Sequence, residues 1–306
     1  MLAAALAFAA AGAGAPSVGR IVEYGTCLRL SGTVTAGLAR VAVERSWPNQ
    51  PRPYTAVRDR AWEVVDAPPI ATAYVVTSRA NAIVARPAVR VRPRLSLARV
   101  SARPLALQIT VGAPRPLARG RLAVERQRGG RWRVERRLSL GRGLIVRYRV
   151  QGSERLRVRL DPGAGYVAAV TRAVAPARVP AAKPPRRARG TSLSEVVAAL
   201  RGGGLPMCRA TTVDPGLFGV PGQVFVNPAG IAEAFEFRTA ADATAGSRRV
   251  SRDGSTITTP AGALHRDVLA PERWFRAGRV LVHDIGPSPT SLAAFRAVLG
   301  SPFAGR

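Results

Sequence analysis

The chain has almost no lysine, histidine, cysteine or methionine, and each shortage narrows its chemistry. Lys183 is the only lysine among 306 residues, and there are two histidines, two cysteines and two methionines. A zinc site needs three or four converging ligands, and neither His265 nor His283 stands in an H-x-x-x-H or C-x-x-C spacing. The sequence also lacks a G-x-S-x-G elbow and a phosphate-binding loop. We therefore expect no metal, no cofactor, no catalytic residue and no enzyme.

The two cysteines, Cys27 and Cys208, stand so far apart in the sequence that they fall in different predicted domains. A disulfide requires their Cα atoms to lie within about 7 Å of each other. We therefore expect no disulfide and two unpaired, mostly buried thiols.

Arginine is as abundant as lysine is rare. Residues 1–190 carry 35 basic and 9 acidic side chains, whereas residues 191–306 carry 12 and 9. A GC-rich genome explains part of the bias, because Arg, Ala, Gly and Pro share GC-rich codons. Any surface that binds polyanions is expected in the front half.

The N-terminus, MLAAALAFAAAGAGAPSVGR, resembles a secretory signal. Its apolar run from Leu2 to about Ala13 is too short for a membrane-spanning helix, and small residues in A-x-A order follow it. We assign residues 1–15 to the signal peptide and favour cleavage after Ala13. No other stretch is long and apolar enough to span a membrane, so the mature protein is expected to be extracellular or associated with the cell envelope.

Residues 18–175 are dominated by alternation of apolar and polar residues, which predicts half-buried strands. The stretch ARVAVERS at 39–46 recurs as GRLAVERQ at 120–127. We interpret the two copies as equivalent strands of two successive β-sandwiches, each with its valines in a core. Arg45 and Arg126 are then ordinary surface residues, and Tyr74 and Tyr166 mark equivalent late strands.

These strands and the stretches EYGTCLRLSGTV, TAYVVTS and AVRVRPRLSL resemble the tandem immunoglobulin-like modules of exported bacterial proteins. The resemblance implies two immunoglobulin-like sandwiches. Neither has the two-cysteine bridge of antibody domains, since Cys27 has no partner near Tyr74.

After residue 190 the pattern changes to alternating helices and strands. Ser192 with Glu195 and Thr239 with Asp242 have the spacing of helix N-terminal capping boxes, and Gly300 ends a third helix. The order predicts a two-layer α+β domain, an antiparallel sheet with helices on one face.

The stretches VPGQVFVN, AFEF, DGSTI, WFRAGRVLV and VLGSPFAGR resemble a family of exported or lipoprotein-borne bacterial domains of unknown function. The resemblance covers residues 192–306 and brings no catalytic residue with it. The chain departs from the pattern at ERWF (272–275) and at His283-Asp284.

The predicted division of the chain is as follows. It comprises a signal peptide (1–15), two immunoglobulin-like sandwiches (18–93 and 94–175), a Pro/Arg-rich linker (176–190) and the α+β domain (191–306).

Strand alternation places one group of arginines on outward faces of the second sandwich. We predict that they form one polyanion-binding face: Arg131, Arg133, Arg147, Arg149, Arg155, Arg157 and Arg159. The alternative is that arginine merely fills exposed strand positions. Trp132 is expected to pack at the hairpin after Gly129-Gly130, with sugar stacking as its alternative.

We expect a non-enzymatic envelope protein whose sandwiches act as spacer and electrostatic anchor for a C-terminal binding domain. Its partners would be anionic envelope polymers or lipid headgroups, with no sequence-specific nucleic acid and an unknown protein partner. One alternative is a ligand-free structural protein. The other is an envelope hydrolase with a site around His265, Asp267 and His283.

Two further sources of catalysis have weak support in the sequence. A Ser-His-Asp site would need Ser192 or Ser255 beside a histidine. A glycosidase-type pair would need Glu233 and Glu236 together, but residues three apart on a strand face opposite ways.

Overall fold

The structure is a computed structural model, and it is rich in β-strand, with 24 strands and three α-helices among the residues it describes. Those residues are 5–7, 20–33, 38–45, 53–58, 60–78, 83–85, 87–113, 117, 120–140, 145–163, 165–182, 186–189, 191–213, 215–265, 271–286 and 288–305.

Residues 5–92, which we term the first β region, form two sheets. Their strands are β1 (Ala5–Ala7), β2 (Arg20–Glu23), β3 (Leu28–Thr33), β4 (Leu38–Arg45), β5 (Tyr54–Arg58), β6 (Ala61–Asp66), β7 (Thr72–Ser78), β8 (Ile83–Ala85) and β9 (Ala88–Arg92). One sheet has the order β1-β3-β6-β5 and the other β2-β9-β7-β4, with β8 beside β7. Leu30 and Trp62 of one sheet and Tyr74 and Val91 of the other share one buried cluster, so the sheets pack face to face.

Residues 94–182, the second β region, repeat much of this pairing. Their strands are β10 (Arg94–Ala102), β11 (Leu105–Gly112), β12 (Arg121–Arg128), β13 (Arg131–Ser139), β14 (Ile145–Arg149), β15 (Leu156–Asp161) and β16 (Ala169–Val170). The sheets have the orders β10-β11-β14 and β13-β12-β15-β16. Ile109, Val124, Tyr148 and Val158 belong to a buried cluster between them.

The repeated AVER stretches lie in β4 and β12, which pair with β7 and β15 respectively. Val43 packs against its cluster and Val124 is fully buried in its own, as the alternation predicts. The equivalence of Tyr74 and Tyr166 is wrong. Tyr74 lies within β7, whereas Tyr166 precedes β16 and packs against the clusters of both regions.

The two β regions are joined by backbone hydrogen bonds as well as by the chain. The amide of Ala71 donates to the carbonyl of Gly165, and that of Val167 donates to Val91. These bonds fix the direction in which the second region leaves the first.

The predicted linker is hydrogen-bonded at both ends. The amide of Arg99, on edge strand β10, donates to Pro180, and the amide of Ala182 donates back to Arg99. Further along, the amide of Ala188 donates to Val298. The extended conformation that proline favours lets this segment lie alongside an unpaired strand edge.

The C-terminal region, residues 186–305, has an antiparallel sheet of order β17-β18-β19-β23-β22-β24 and a separate hairpin, β20-β21. Its elements are α1 (Leu193–Gly202), β17 (Cys208–Val213), β18 (Gly222–Asn227), β19 (Gly230–Glu236), α2 (Ala240–Ser247), β20 (Thr256–Thr259), β21 (Gly262–His265), β22 (Glu272–Ala277), β23 (Val280–Ile285), α3 (Pro289–Leu299) and β24 (Ala304–Gly305).

All three predicted helices are present, and both predicted caps form. The Ser192 hydroxyl accepts from the amide of Glu195, and Thr239 exchanges hydrogen bonds with Asp242. The prediction that the helices cover one face is wrong: α1 and α3 pack on one face of the sheet and α2 on the other. Gly246 allows this packing, because a Cβ there would lie 2.8 Å from the Phe237 ring.

The expectation of two unpaired thiols is also wrong, because Cys27 and Cys208 form a disulfide with their Cα atoms 5.3 Å apart. The outer face of the β3-β6-β5 sheet packs against β17 and β18, where Val65, Cys208 and Val226 are buried together. The reasoning from sequence separation failed because docking of the first and last regions brings the two cysteines together.

Candidate functional sites

The predicted arginine face is divided between two sheets, so the prediction of a single face is wrong. Arg147 and Arg149 lie on β14, whereas Arg157 and Arg159 lie on β15 of the other sheet. Strand alternation gave each side chain an outward direction but not the sheet to which its strand belongs.

Within the sheet containing β12, β13 and β15, the arginines also lie on different faces. Arg133 is opposite the buried Arg126, whereas Arg157 is opposite Glu125, one residue earlier on β12. Directly opposed residues of an antiparallel pair project from the same face. Arg133 and Arg157 therefore project to opposite sides. The shift in register between Val124 and Glu125 is a bulge that alternation alone does not reveal.

Arg157 and Arg159 share one carboxylate. Their Nε atoms lie 2.7 Å and 3.1 Å from the two oxygens of Glu125, which is buried. The guanidinium carbon of Arg157 also lies 4.4 Å from the centre of the Trp132 ring. Trp132 therefore packs under a cation at the hairpin, as its packing interpretation predicted.

Arg126, predicted to be a surface residue, is buried with 1% of its surface exposed. Its guanidinium donates two hydrogen bonds to Glu135 (2.7 and 3.1 Å) and one to Glu154 (2.9 Å). Burial is the main cause that raises the pKa of Tyr148 on β14, and hydrogen bonding to Glu135 adds to it. The group closes the side of the second β region where β13 and β14 run along the edges of their sheets.

Edge strand β13 carries four arginines that have no side-chain partner among the described residues. Arg131, Arg133, Arg136 and Arg137 are exposed, and their side chains form no hydrogen bond or ion pair with any residue that the structure describes. Arg147 and Arg149 on β14 are exposed and unpaired in the same sense, whereas Arg155 donates to the carbonyl of Ala173. Arg136 and Arg137 were not among the arginines predicted from the sequence. Their adjacency in RWRVERR was the available signal, because a bulged strand exposes both.

His283 of the C-terminal region lies fully buried between two carboxylates. Its Nδ1 is 3.1 Å from Glu233 on β19, and its Nε2 is 2.8 Å from Glu272 on β22. The Trp274 ring stacks on the imidazole at 4.0 Å between centroids. The chain's two departures from the family resemblance, ERWF and His283-Asp284, thus meet on adjacent strands.

Asp284 is buried on the opposite face of β23. Its carboxylate is 3.4 Å from the Ser291 hydroxyl and 3.9 Å from Arg273. Burial raises the pKa of Asp284 to about 7, and the charge of Arg273 only partly opposes this shift. Asp284 therefore titrates near neutral pH.

The residues of the hydrolase alternative are not brought together among those described. His265 is exposed and lies 3.2 Å from the hydroxyl of Thr256, and Asp267 lies outside the described residues. Ser192 caps α1, and Ser255 donates to Asp253.

Glu233 and Glu236 do not face one another. Glu233 contacts His283, whereas Glu236 accepts a hydrogen bond from Arg279. In the part of the chain that the structure describes, no three His, Cys, Asp or Glu side chains form a metal-binding group. No described helix is long and apolar enough to cross a membrane.

Two cavities lie away from both histidines. One, of about 550 Å³, lies at the junction of the two β regions and is lined by Glu23, Arg92, Arg172 and apolar side chains. The other, of about 340 Å³, lies beside α2 and has Phe218, Phe237 and Arg249 in its wall.

Comparisons with known proteins give a fold likeness only. No protein-family model matches the chain, and no curated protein matches it either. A solved structure titled "Cytokine receptor complex - Crystal form 1A" aligns with 53% of this chain and 94% of its own, at 14% identity and a TM-score of 0.25.

Proposed function

We propose that the protein is exported and attaches to the anionic cell envelope through the exposed arginines of edge strand β13. Two immunoglobulin-like sandwiches, formed by the first and second β regions, hold a C-terminal α+β domain that binds a separate partner. The protein works without catalysis.

The unpaired arginines of β13 carry this proposal. Arg126, Arg157 and Arg159 already have carboxylate partners, whereas Arg131, Arg133, Arg136 and Arg137 have none among the described residues. Forked guanidinium groups along an extended strand suit phosphate or carboxylate oxygens of a linear polymer. Charged side chains also protect edge strands from aggregation, which is the structural alternative.

The disulfide supports the proposed location. Disulfides form and persist in oxidising compartments, and the apolar N-terminal run resembles an export signal.

The test compares two charge-matched variants for binding to immobilised linear polyphosphate across a sodium chloride series. The first replaces the four β13 arginines by glutamine. The control replaces four exposed arginines of the C-terminal region by glutamine: Arg238, Arg248, Arg252 and Arg296. We expect the first variant to lose about tenfold or more in affinity at low salt, and the control to lose less than about threefold.

Equal losses in both variants would mean that net charge alone drives binding, and the β13 site would be rejected. Absence of binding by the wild-type protein would reject attachment to anionic polymers altogether. Thermal unfolding of each variant checks that the fold is kept.

A further inference from the structure

The cavity at the junction of the two β regions has two arginines and a group of apolar side chains in its wall. Its lining residues come from the ends of β2 and β9, from β10, and from the segment around β16. They include Glu23, Arg92, Leu95, Leu97, Arg172 and Val174. Its volume of about 550 Å³ lies within the range of about 300–1,000 Å³ that is typical of small-molecule sites.

Arg92, the last residue of β9, is a half-buried cation in the wall of this cavity. Its Nε atom is buried and has no hydrogen-bond partner among the described residues, and its side chain forms no ion pair there. A guanidinium group stays charged in proteins and has only donors. An oxygen-bearing anion in the cavity would pair with the charge of this guanidinium group.

The ionisable side chains of the lining carry a net positive charge, which favours an anion. Arg172 is exposed at the cavity and unpaired among the described residues, which gives two guanidinium groups in the wall. Glu23, opposite Arg92 in the parallel pair β2-β9, is the single carboxylate of the lining.

Apart from Thr171, the remaining side chains of the wall are apolar, and several of them belong to the fold's own packing. Leu97 contacts buried clusters on two sides, and Val174 packs against the cluster that contains Val179. These side chains are held in place by the core, so the wall exists without the ligand. An alkyl chain lying on it would remove apolar surface from water.

We infer that this cavity binds a single-chain anionic amphiphile, with its carboxylate or phosphate head on Arg92 and Arg172 and its alkyl chain against Leu95, Leu97 and Val174. The inference is independent of the β13 arginines, because β13 and β16 lie at opposite edges of their four-stranded sheet.

The test is isothermal titration of the full chain with dodecanoate and with dodecyl phosphate, each below its micelle concentration. These two arms distinguish a free fatty acid from a phosphate-headed lipid as the source. Dodecyl maltoside and dodecyltrimethylammonium have the same alkyl chain with a neutral and a cationic head. Acetate and inorganic phosphate test the head without the chain.

We expect at least one anionic amphiphile to bind about tenfold or more tightly than the neutral and cationic ones. Arg92→Gln should weaken anionic binding about tenfold or more, because it removes a charge-assisted hydrogen bond. Arg94→Gln is the matched control, since Arg94 is exposed, lies two residues further along and does not line the cavity. It should change affinity less than about twofold.

Ala168→Trp provides a second, independent readout. Ala168 is exposed at the cavity, so a large side chain there fills the space without disturbing a core. We expect it to abolish binding while the melting temperature stays unchanged.

Three outcomes would overturn the inference. The first is equal affinity for neutral and anionic amphiphiles, and the second is an equal effect of Arg92→Gln and Arg94→Gln. The third is the absence of binding by either anionic amphiphile to a folded wild-type protein. Polyphosphate binding would be unaffected in each case, so this failure is distinct from that of the envelope proposal.

Discussion

The second β region and the C-terminal region each bury one basic side chain between two glutamates, an arginine in the first case and a histidine in the second. Arg126 contacts Glu135 and Glu154, and His283 contacts Glu233 and Glu272. A guanidinium group carries its charge at every physiological pH, and Glu154 keeps 48% of its side chain exposed. The imidazole is fully buried and donates to both carboxylates only when both ring nitrogens carry protons.

The difference separates a closure built on a permanent cation from one built on a stacked, fully buried ring. In the arginine-rich second β region, Arg126 is one of many cations, and the arginines of β13 have no side-chain partner among the described residues. In the nearly neutral C-terminal region, buried ionisable groups are concentrated on β22 and β23.

The largest effect is expected from Arg126→Ala. It leaves Glu135 without its buried cation, and removal of one partner from a buried ion pair costs about 3–5 kcal/mol. Urea unfolding at pH 7 measures this loss. Arg133→Ala, on the adjacent strand and unpaired, should change stability by less than about 0.5 kcal/mol. Similar losses in both variants would show that Arg126 acts only as one more surface charge.

A slightly smaller loss is expected from His283→Ala, about 3 kcal/mol. It removes the ring that stacks on Trp274 and leaves Glu233 and Glu272 facing a cavity. Unfolding followed by tryptophan fluorescence reports the change, because Trp274 is in contact with the ring. The control is His265→Ala at the exposed hairpin, which should leave stability within about 0.5 kcal/mol. A loss of that size at position 265 as well would contradict the comparison.

An effect of the opposite sign, a gain in stability at high pH, is expected from Asp284→Asn. Because the pKa of Asp284 is raised to about 7, its contribution to stability is fully present below about pH 4 and is lost as pH rises through 7. An asparagine stays neutral and avoids that loss. We expect the variant to be more stable than wild type by about 4 kcal/mol at pH 8 and equal to it near pH 4.

Urea unfolding of both proteins between pH 4 and pH 8 measures this difference. A stability difference that does not change with pH would show that Asp284 does not titrate in this range. We use wild-type protein in the same buffers as the reference.

Local features of the fold were predictable from the sequence because they depend on neighbouring residues. Alternation identified β3, β4, β12 and β15, and the spacing of Ser192 with Glu195 identified the start of α1. These signals act within one strand or one helical turn, so they are present in the printed sequence.

Features that depend on partners from elsewhere in the chain were not predictable in this way. Arg126 is buried beside Glu135 and Glu154, which belong to other parts of the second region. The side to which Arg133 projects depends on one bulge in the pairing of β12 with β13. The placement of α2 depends on the approach of Gly246 to Phe237 and to Leu281 of β23. Alternation gives a side chain's direction, but the partners that pair or bury it come from the tertiary fold.

The bond between Cys27 and Cys208 makes a closed ring of everything between them, a span of 181 positions that includes the entire second β region. A protease that cuts the backbone once inside this ring opens it without releasing a piece. The nicked protein would run as one band on a denaturing gel until a reductant separates it into two. Damage to the proposed envelope-binding region would thus leave both ends of the protein covalently joined.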